Sequence, residues 1–168
     1  VKAAEAQAPV LSTDDTAAYI NTTLHKYPTL EFVDSGCPGY EQVVTISGDR
    51  RSLIIKQTLG KVVDGRCDSV QTLTVPIFSL DRRSIGSWRK QGQHTALLLE
   101  CTNFVDCFSR RSDAQVLASA ENRWFLQVTA PAAISVRLTE AMQHLVESLS
   151  NEARAHVDGP DPFAKPAH

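Results

Sequence analysis

The sequence predicts an α+β domain: a mainly antiparallel, bent sheet packed by an N-terminal helix and a long C-terminal helix. Three observations carry this. Apolar residues recur at three- and four-residue steps around residue 20 and again over 134–149, which is helical periodicity. Between those stretches lie runs rich in Val, Ile and Thr, separated by turn residues. No strand–helix–strand crossover interrupts the runs, so nothing calls for a parallel sheet.

The first helix starts at Ser12, which stands three residues before Asp15 at capping-box spacing. Ala17, Ile20, Leu24 and Tyr27 form its apolar face, Asp14 and Asp15 sit at the positive end of the dipole, and His25 and Lys26 at the negative end. Pro28 stops it. Strands are expected over 40–47 and 52–59, joined by the Gly48-Asp49-Arg50-Arg51 turn. A break at 61–69 contains Asp64-Gly65 and Cys67, and a strand follows over 70–78, where Pro76 cannot donate to a ladder and favours an edge or a bulge. A short strand near 85–89 and two apolar ones at 94–101 and 122–129 complete the set.

The last helix is entered through Pro131 and carries Ile134, Leu138, Ala141, Met142, Leu145 and Leu149 as one stripe, with Glu140, Gln143 and Glu147 turned away. Periodicity then fades and Gly159, Pro160, Pro162 and Pro166 accumulate. The chain therefore divides into a lead over 1–11, one domain over 12–150 and a tail over 151–168. A bent sheet or partial barrel closed by a final helix resembles the pleckstrin-homology-like architecture in outline, a likeness of element order that covers no functional residue.

The four cysteines, Cys37, Cys67, Cys101 and Cys107, bear on compartment. A structural zinc site draws thiolates from close pairs, and a redox dithiol needs C-x-x-C; neither pattern occurs. Two disulfides are the expectation, and among three pairings Cys37 with Cys67 and Cys101 with Cys107 is the simplest, because each closes a compact loop. The alternative is reduced, buried thiols acting as small hydrophobes. Disulfides imply an oxidising compartment. The small-residue, Ala-rich lead over 1–9 is what signal-peptide removal is expected to leave, which places the protein in the periplasm or outside the cell. No apolar run is long enough to cross a bilayer as a helix.

At 168 residues and a formal charge of −2, the chain can bury a full core without metal or cofactor, and nothing global points to nucleic acid. The five histidines lack partners at metal-ligand spacing. His144 and Glu140 share a helix face, most simply as a solvent-side contact. The serines lie in no nucleophile elbow, the glycines punctuate turns, and His94 and Cys101, seven apart on one strand, point to opposite faces. No catalytic residue, metal site or cofactor is assigned.

Two surfaces remain. Arg82, Arg83, Arg89 and Lys90 surround Trp88, and Arg with Trp is a combination enriched in interface anchors; solvated turns and a core-facing Trp88 give the plainer account. The loop between Cys101 and Cys107 carries Phe104 and Val105, which either stand ready for a partner or, as large apolar side chains usually do, tuck under the sheet. The expected function is an exported, non-catalytic module recognising a protein partner in the cell envelope as an adaptor, inhibitor or immunity factor. The alternative is a carrier of a small apolar ligand or lipid, held between the sheet and the final helix.

Overall fold

The computed structural model describes residues 11–29, 37, 40–59, 62, 65, 67, 69–90, 93–112 and 119–157, without side-chain placements at 59, 69, 89, 90, 93–95 and 157. Helix α1 (Thr13–Lys26) begins on Ser12 as N-cap: the Asp15 N–H donates to Ser12 Oγ, and the Ser12 hydroxyl, in place of the backbone N–H of a full capping box, donates to the Asp15 carboxylate. Ala17, Ile20 and Leu24 are buried, and Tyr27 caps the last turn by donating its N–H to the Thr23 carbonyl.

Among the described residues eight strands follow: β1 (Glu41–Ile46), β2 (Ser52–Leu59), β3 (Ser69–Pro76), β4 (Gly86–Lys90), β5 (Gln93–Glu100), β6 (Phe108–Ser112), β7 (Ser119–Glu121) and β8 (Arg123–Ala130). They form two antiparallel sheets, ordered β1-β2-β3-β6-β7 and β4-β5-β8. Only Asn122 separates β7 from β8, and its carbonyl accepts the Cys101 N–H, so one strand passes from the first sheet into the second. The result is a bent, unclosed sheet with a helix at each end of the chain packed against it, as expected. Pro76 is the last residue of β3, beyond the Gln71–Thr74 stretch that pairs with β6, so its missing N–H costs the ladder nothing.

Three features depart from the expectation. The segment after Cys107 and the stretch before Asn122 are strands, β6 and β7. Two single turns of 3-10 helix, Ile77–Ser79 and Arg82–Ser84, lead from β3 into β4. Helix α2 (Ala132–Val157) also continues seven residues past 150, where the tail was expected to begin, because Ala153 is buried and Glu152 is engaged from two sides. Residues 158–168 lie outside the described residues.

Leu138, Met142, Leu145 and Leu149 of α2 are fully buried on the core side, joined by Val146 and Ala153. Thr13 donates to Glu152, while Thr129, just before α2, donates its N–H to the Tyr27 carbonyl; the two helices therefore run in opposite directions. Gln143, expected to face solvent, is half-buried and donates to the Ile85 carbonyl. His144 turns Nε2 to the Leu11 carbonyl and the Ser148 hydroxyl.

The strand edges are sealed by carboxamides. On α1, Asn21 donates to the Val44 carbonyl and accepts the Val44 N–H, both at 2.8 Å, which covers the outer edge of β1. Gln42, Gln57 and Gln71 are direct cross-strand neighbours on the buried face of β1, β2 and β3. Gln71 donates to Gln57 at 2.7 Å and Gln57 to Gln42 at 3.1 Å; Gln42 takes both backbone groups of Gln127, tying the first sheet to β8. Tyr40 joins the end of this row through its hydroxyl, and burial pushes its phenol well above the usual range.

Candidate functional site

The cysteines pair as the spacing suggested, Cys37 with Cys67 and Cys101 with Cys107, at Cα separations of 5.2 and 5.8 Å. The second bridge stands where the bent strand changes sheets. Cys101 is buried, pairs with Leu80 and donates its N–H to Asn122, while Cys107 donates its N–H to the Glu121 carbonyl. Both ends of the 102–106 loop are thus pinned by backbone hydrogen bonds as well as by sulfur.

Within the loop, Asn103 (φ 58°) and Phe104 (φ 57°) are consecutive left-handed residues. Asn tolerates that conformation; for Phe it is an outlier that the surroundings must enforce. The turn carries Phe104 and Val105 outward, where they are 75% and 64% exposed. This corrects the expectation that Phe104 tucks under the sheet. The core position nearest the crosslink is filled by Phe108, which is fully buried, and the two left-handed residues turn the chain away from it.

Arg82 and Arg83 lie on the second 3-10 turn, which Asp81 caps by accepting the Arg83 N–H at 2.9 Å. Asp81 in turn donates its N–H to the Glu100 carbonyl, so this turn hangs from the same Leu80–Cys101 bridge as the Phe104 loop. Arg82 is ion-paired with Glu147 of α2, and Arg83 is exposed. Trp88 is mid-way along β4, 53% exposed, its ring edge-on to Phe125 with centroids 5.7 Å apart. Arg89 and Lys90 follow a register shift and pair with His94 and Gln93, away from Cys101; their side chains lie outside the described residues. The structure therefore sets Arg82 and Arg83 on one side of the Leu80–Cys101 pair and Phe104 on the other, and leaves Trp88 along the sheet. Elsewhere, Arg110 stacks over the Trp124 ring and Arg50 joins Glu152 and Asp14.

A cleft of about 220 Å³ flanks α2, floored by Ile77, Leu80 and Val146. Its rim holds Phe78, over whose ring the Arg154 guanidinium sits at 5.9 Å, together with the Arg82–Glu147 pair and Asn151. Sequence reasoning missed Phe78, Asn151 and Arg154. Phe78 looked like the end of a strand, and Asn151 and Arg154 fell in the presumed tail; the signal available was the four-residue step from Ser150 to Arg154. The cleft lies beside the buried stripe of α2, with a polar rim, and is not an enclosed apolar cavity.

Among the described residues, no three His, Cys, Asp or Glu side chains stand close enough to hold a metal ion, and no helix is long and apolar enough to cross a membrane. Among the described residues, the groups with clearly displaced proton affinity, Tyr40, Asp49, Arg50 and Glu152, belong to the Gln42 row and the β1–β2 turn network rather than to the loop or cleft. No family model, curated protein or solved structure matches the chain.

Proposed function

We propose that this protein is an exported, non-catalytic binding module that engages a protein partner in the cell envelope through the Phe104–Val105 tip. The carrying observation is that two adjacent apolar side chains are displayed on a short loop fixed at both ends. Fixing the loop beforehand removes most of the ordering cost of docking. Covering Phe104 removes roughly 150 Å² from water, a gross gain of about 4 kcal/mol at ~25 cal/mol per Å². Two disulfides support an oxidising compartment, consistent with an adaptor, inhibitor or immunity role outside the cytosol.

The test is site-specific photocrosslinking in cells that produce the protein naturally. A benzophenone side chain at position 104 should give one stoichiometric protein adduct. The same group at Val136, an equally apolar and 51% exposed site on α2, should give none. Equal labelling from both positions, or undiminished capture by Phe104→Asp from a distant crosslinker, refutes the proposal.

A further inference from the structure

The loop between Cys101 and Cys107 owes its shape to the crosslink. All five residues of 102–106 are exposed, and among the described residues none of their side chains makes a hydrogen bond or ion pair. Two backbone bonds inside the loop, from the Phe104 N–H to the Cys101 carbonyl at 3.3 Å and from the Val105 N–H to the Thr102 carbonyl at 3.4 Å, are longer than the usual ~2.7–3.2 Å. Asn103 and Phe104 nevertheless stay left-handed, a conformation that Phe does not adopt by preference. The bonds at the base, from Cys101 N–H to Asn122 and from Cys107 N–H to Glu121, fix where the loop starts and ends without sulfur. The Cys37–Cys67 loop is different: it contains β1 and β2, whose ladder holds it whether or not the sulfurs are joined.

We infer that Cys101–Cys107 is a redox switch, the exchangeable one of the two bridges, opened by a dithiol reductant that attacks Cys107 and so releases the 102–106 loop. Cys107 is partly exposed and Cys101 only 3%, so the incoming thiolate reaches the Cys107 sulfur. A bond forms between the reductant's sulfur and Cys107, the Cys101–Cys107 bond breaks, and Cys101 leaves with the electron pair. The reductant's second thiolate then attacks the mixed disulfide, closes the reductant's own disulfide and frees Cys107. Two electrons pass to the protein, and the two protons of the reductant's thiols end, through solvent, on the two cysteines. Cys101 is prepared for this: its Sγ accepts the Cys107 N–H at 3.2 Å and lies 3.6 Å from the Glu121 carbonyl oxygen, so the leaving thiolate has a donor and the thiol formed from it has an acceptor. Opening also relieves the left-handed Phe104, and strained bridges are the more easily reduced ones. That opening withdraws a binding tip rests on the Phe104 reading above; the opening itself does not, and it is measured with no partner present, so either can fail alone.

The experiment equilibrates the full chain with oxidised and reduced dithiothreitol in varying ratio, quenches in acid, labels free thiols with N-ethylmaleimide in denaturant and locates the label by peptide mass spectrometry. Cys101 and Cys107 should become labelled together, about tenfold or more ahead of Cys37 and Cys67, which is about 30 mV in midpoint. Phe104→Asn, at an exposed position and with a residue that accepts the left-handed backbone, should make Cys101–Cys107 roughly fivefold harder to reduce, about 20 mV, and leave the other bridge unchanged. Brief exposure to reduced glutathione should leave its adduct on Cys107. One common midpoint for all four cysteines, or Cys37–Cys67 opening first, overturns the inference, as does a glutathione adduct on Cys101. So does an unchanged midpoint in Phe104→Asn, because the strain would then belong to the loop whether or not the bridge is closed.

Discussion

Replacing Arg50 tests whether the turn between β1 and β2 is held in its conformation by the ion network it feeds. Arg50 lies at φ 56°, a left-handed conformation that costs a non-glycine residue about 1–2 kcal/mol. Against that, its guanidinium meets Glu152 twice, at 2.6 Å from Nε and 3.2 Å from Nη2, and Asp14 at 3.0 Å from Nη1. Thr13 holds the same Glu152 carboxylate. The Arg50 and Glu152 side chains are each 34% exposed, so solvent screening limits the gain; a networked, bidentate pair falls at the upper end of the exposed range, about 1 kcal/mol, with ~0.5 kcal/mol more from Asp14. Arg50→Ala keeps the backbone strain and loses the network, a cost of about 1.5 kcal/mol, or ~3–6 °C in Tm. Arg50→Gly loses the same network but relieves the strain, net of greater freedom in the unfolded chain, and should cost only about 0.5 kcal/mol. Urea denaturation should therefore rank wild type above Gly above Ala. Combining Arg50→Ala with Glu152→Gln should cost about 1 kcal/mol less than the sum of the single changes. A glycine variant no more stable than the alanine one, or strict additivity, refutes the reasoning. The pH dependence follows from sign: Arg50, then Thr13, hold the Glu152 carboxyl below its unfolded value of about 4.5. Its contribution is complete above that pH and is lost as pH falls through the lowered folded value, so wild type and Glu152→Gln should converge in acid.

Mass spectrometry of unreduced protein should show no alkylated thiol, and reduction under denaturing conditions should expose all four. Loop-closure entropy assigns about 3.5 kcal/mol to Cys37–Cys67 and about 2.5 kcal/mol to Cys101–Cys107, whose loop is shorter, so Cys→Ser pairs should lower urea stability in that order. Gln57→Leu should cost about 2 kcal/mol despite adding an apolar group, because Gln71 then loses its acceptor inside the core; a neutral result refutes the hydrogen-bonded row. Phe104→Gly should leave denaturation within ~0.5 kcal/mol of wild type, whereas Phe108→Ala should cost about 3–5 kcal/mol.

How much of this was legible depended on whether side-chain pattern or long-range pairing decided the outcome. Both helices could be read because Ile20, Leu24, Leu138, Met142 and Leu145 mark their buried faces by local spacing. The Ser47–Ser52 turn could be read because Gly48 and Asp49 carry its chemistry: the Asp49 carboxylate accepts the Ser47 hydroxyl and the Arg51 N–H, which lowers its proton affinity. Strand β6, Phe-Ser-Arg-Arg-Ser, could not, because its extension is imposed by β3 across a separation no local rule reports. Gln42, Gln57 and Gln71 each keep the alternation of the buried Val44, Ile55 and Leu73, yet glutamine by itself does not mark a buried position. Burial of a glutamine is acceptable only when its neighbours satisfy it, and neighbours across a sheet are invisible along the chain.

Three non-glycine residues among those described adopt positive φ, and their surroundings differ in a way that bears on function. Arg50 is offset by an ion network that joins a hairpin to two helices, so its strained backbone serves the fold. Asn103 and Phe104 are held by backbone bonds at the loop base and by the Cys101–Cys107 bridge, yet the Phe104 side chain is three-quarters exposed. Strain tolerated with no packing return at that side chain is a cost the fold alone does not explain, and such positions gather where a surface is held ready for a ligand. Glycine at 104 separates the two accounts. If it leaves stability intact and abolishes crosslinking from the same loop, the phenylalanine is there for the partner; if it unfolds the domain, the residue belongs to the scaffold.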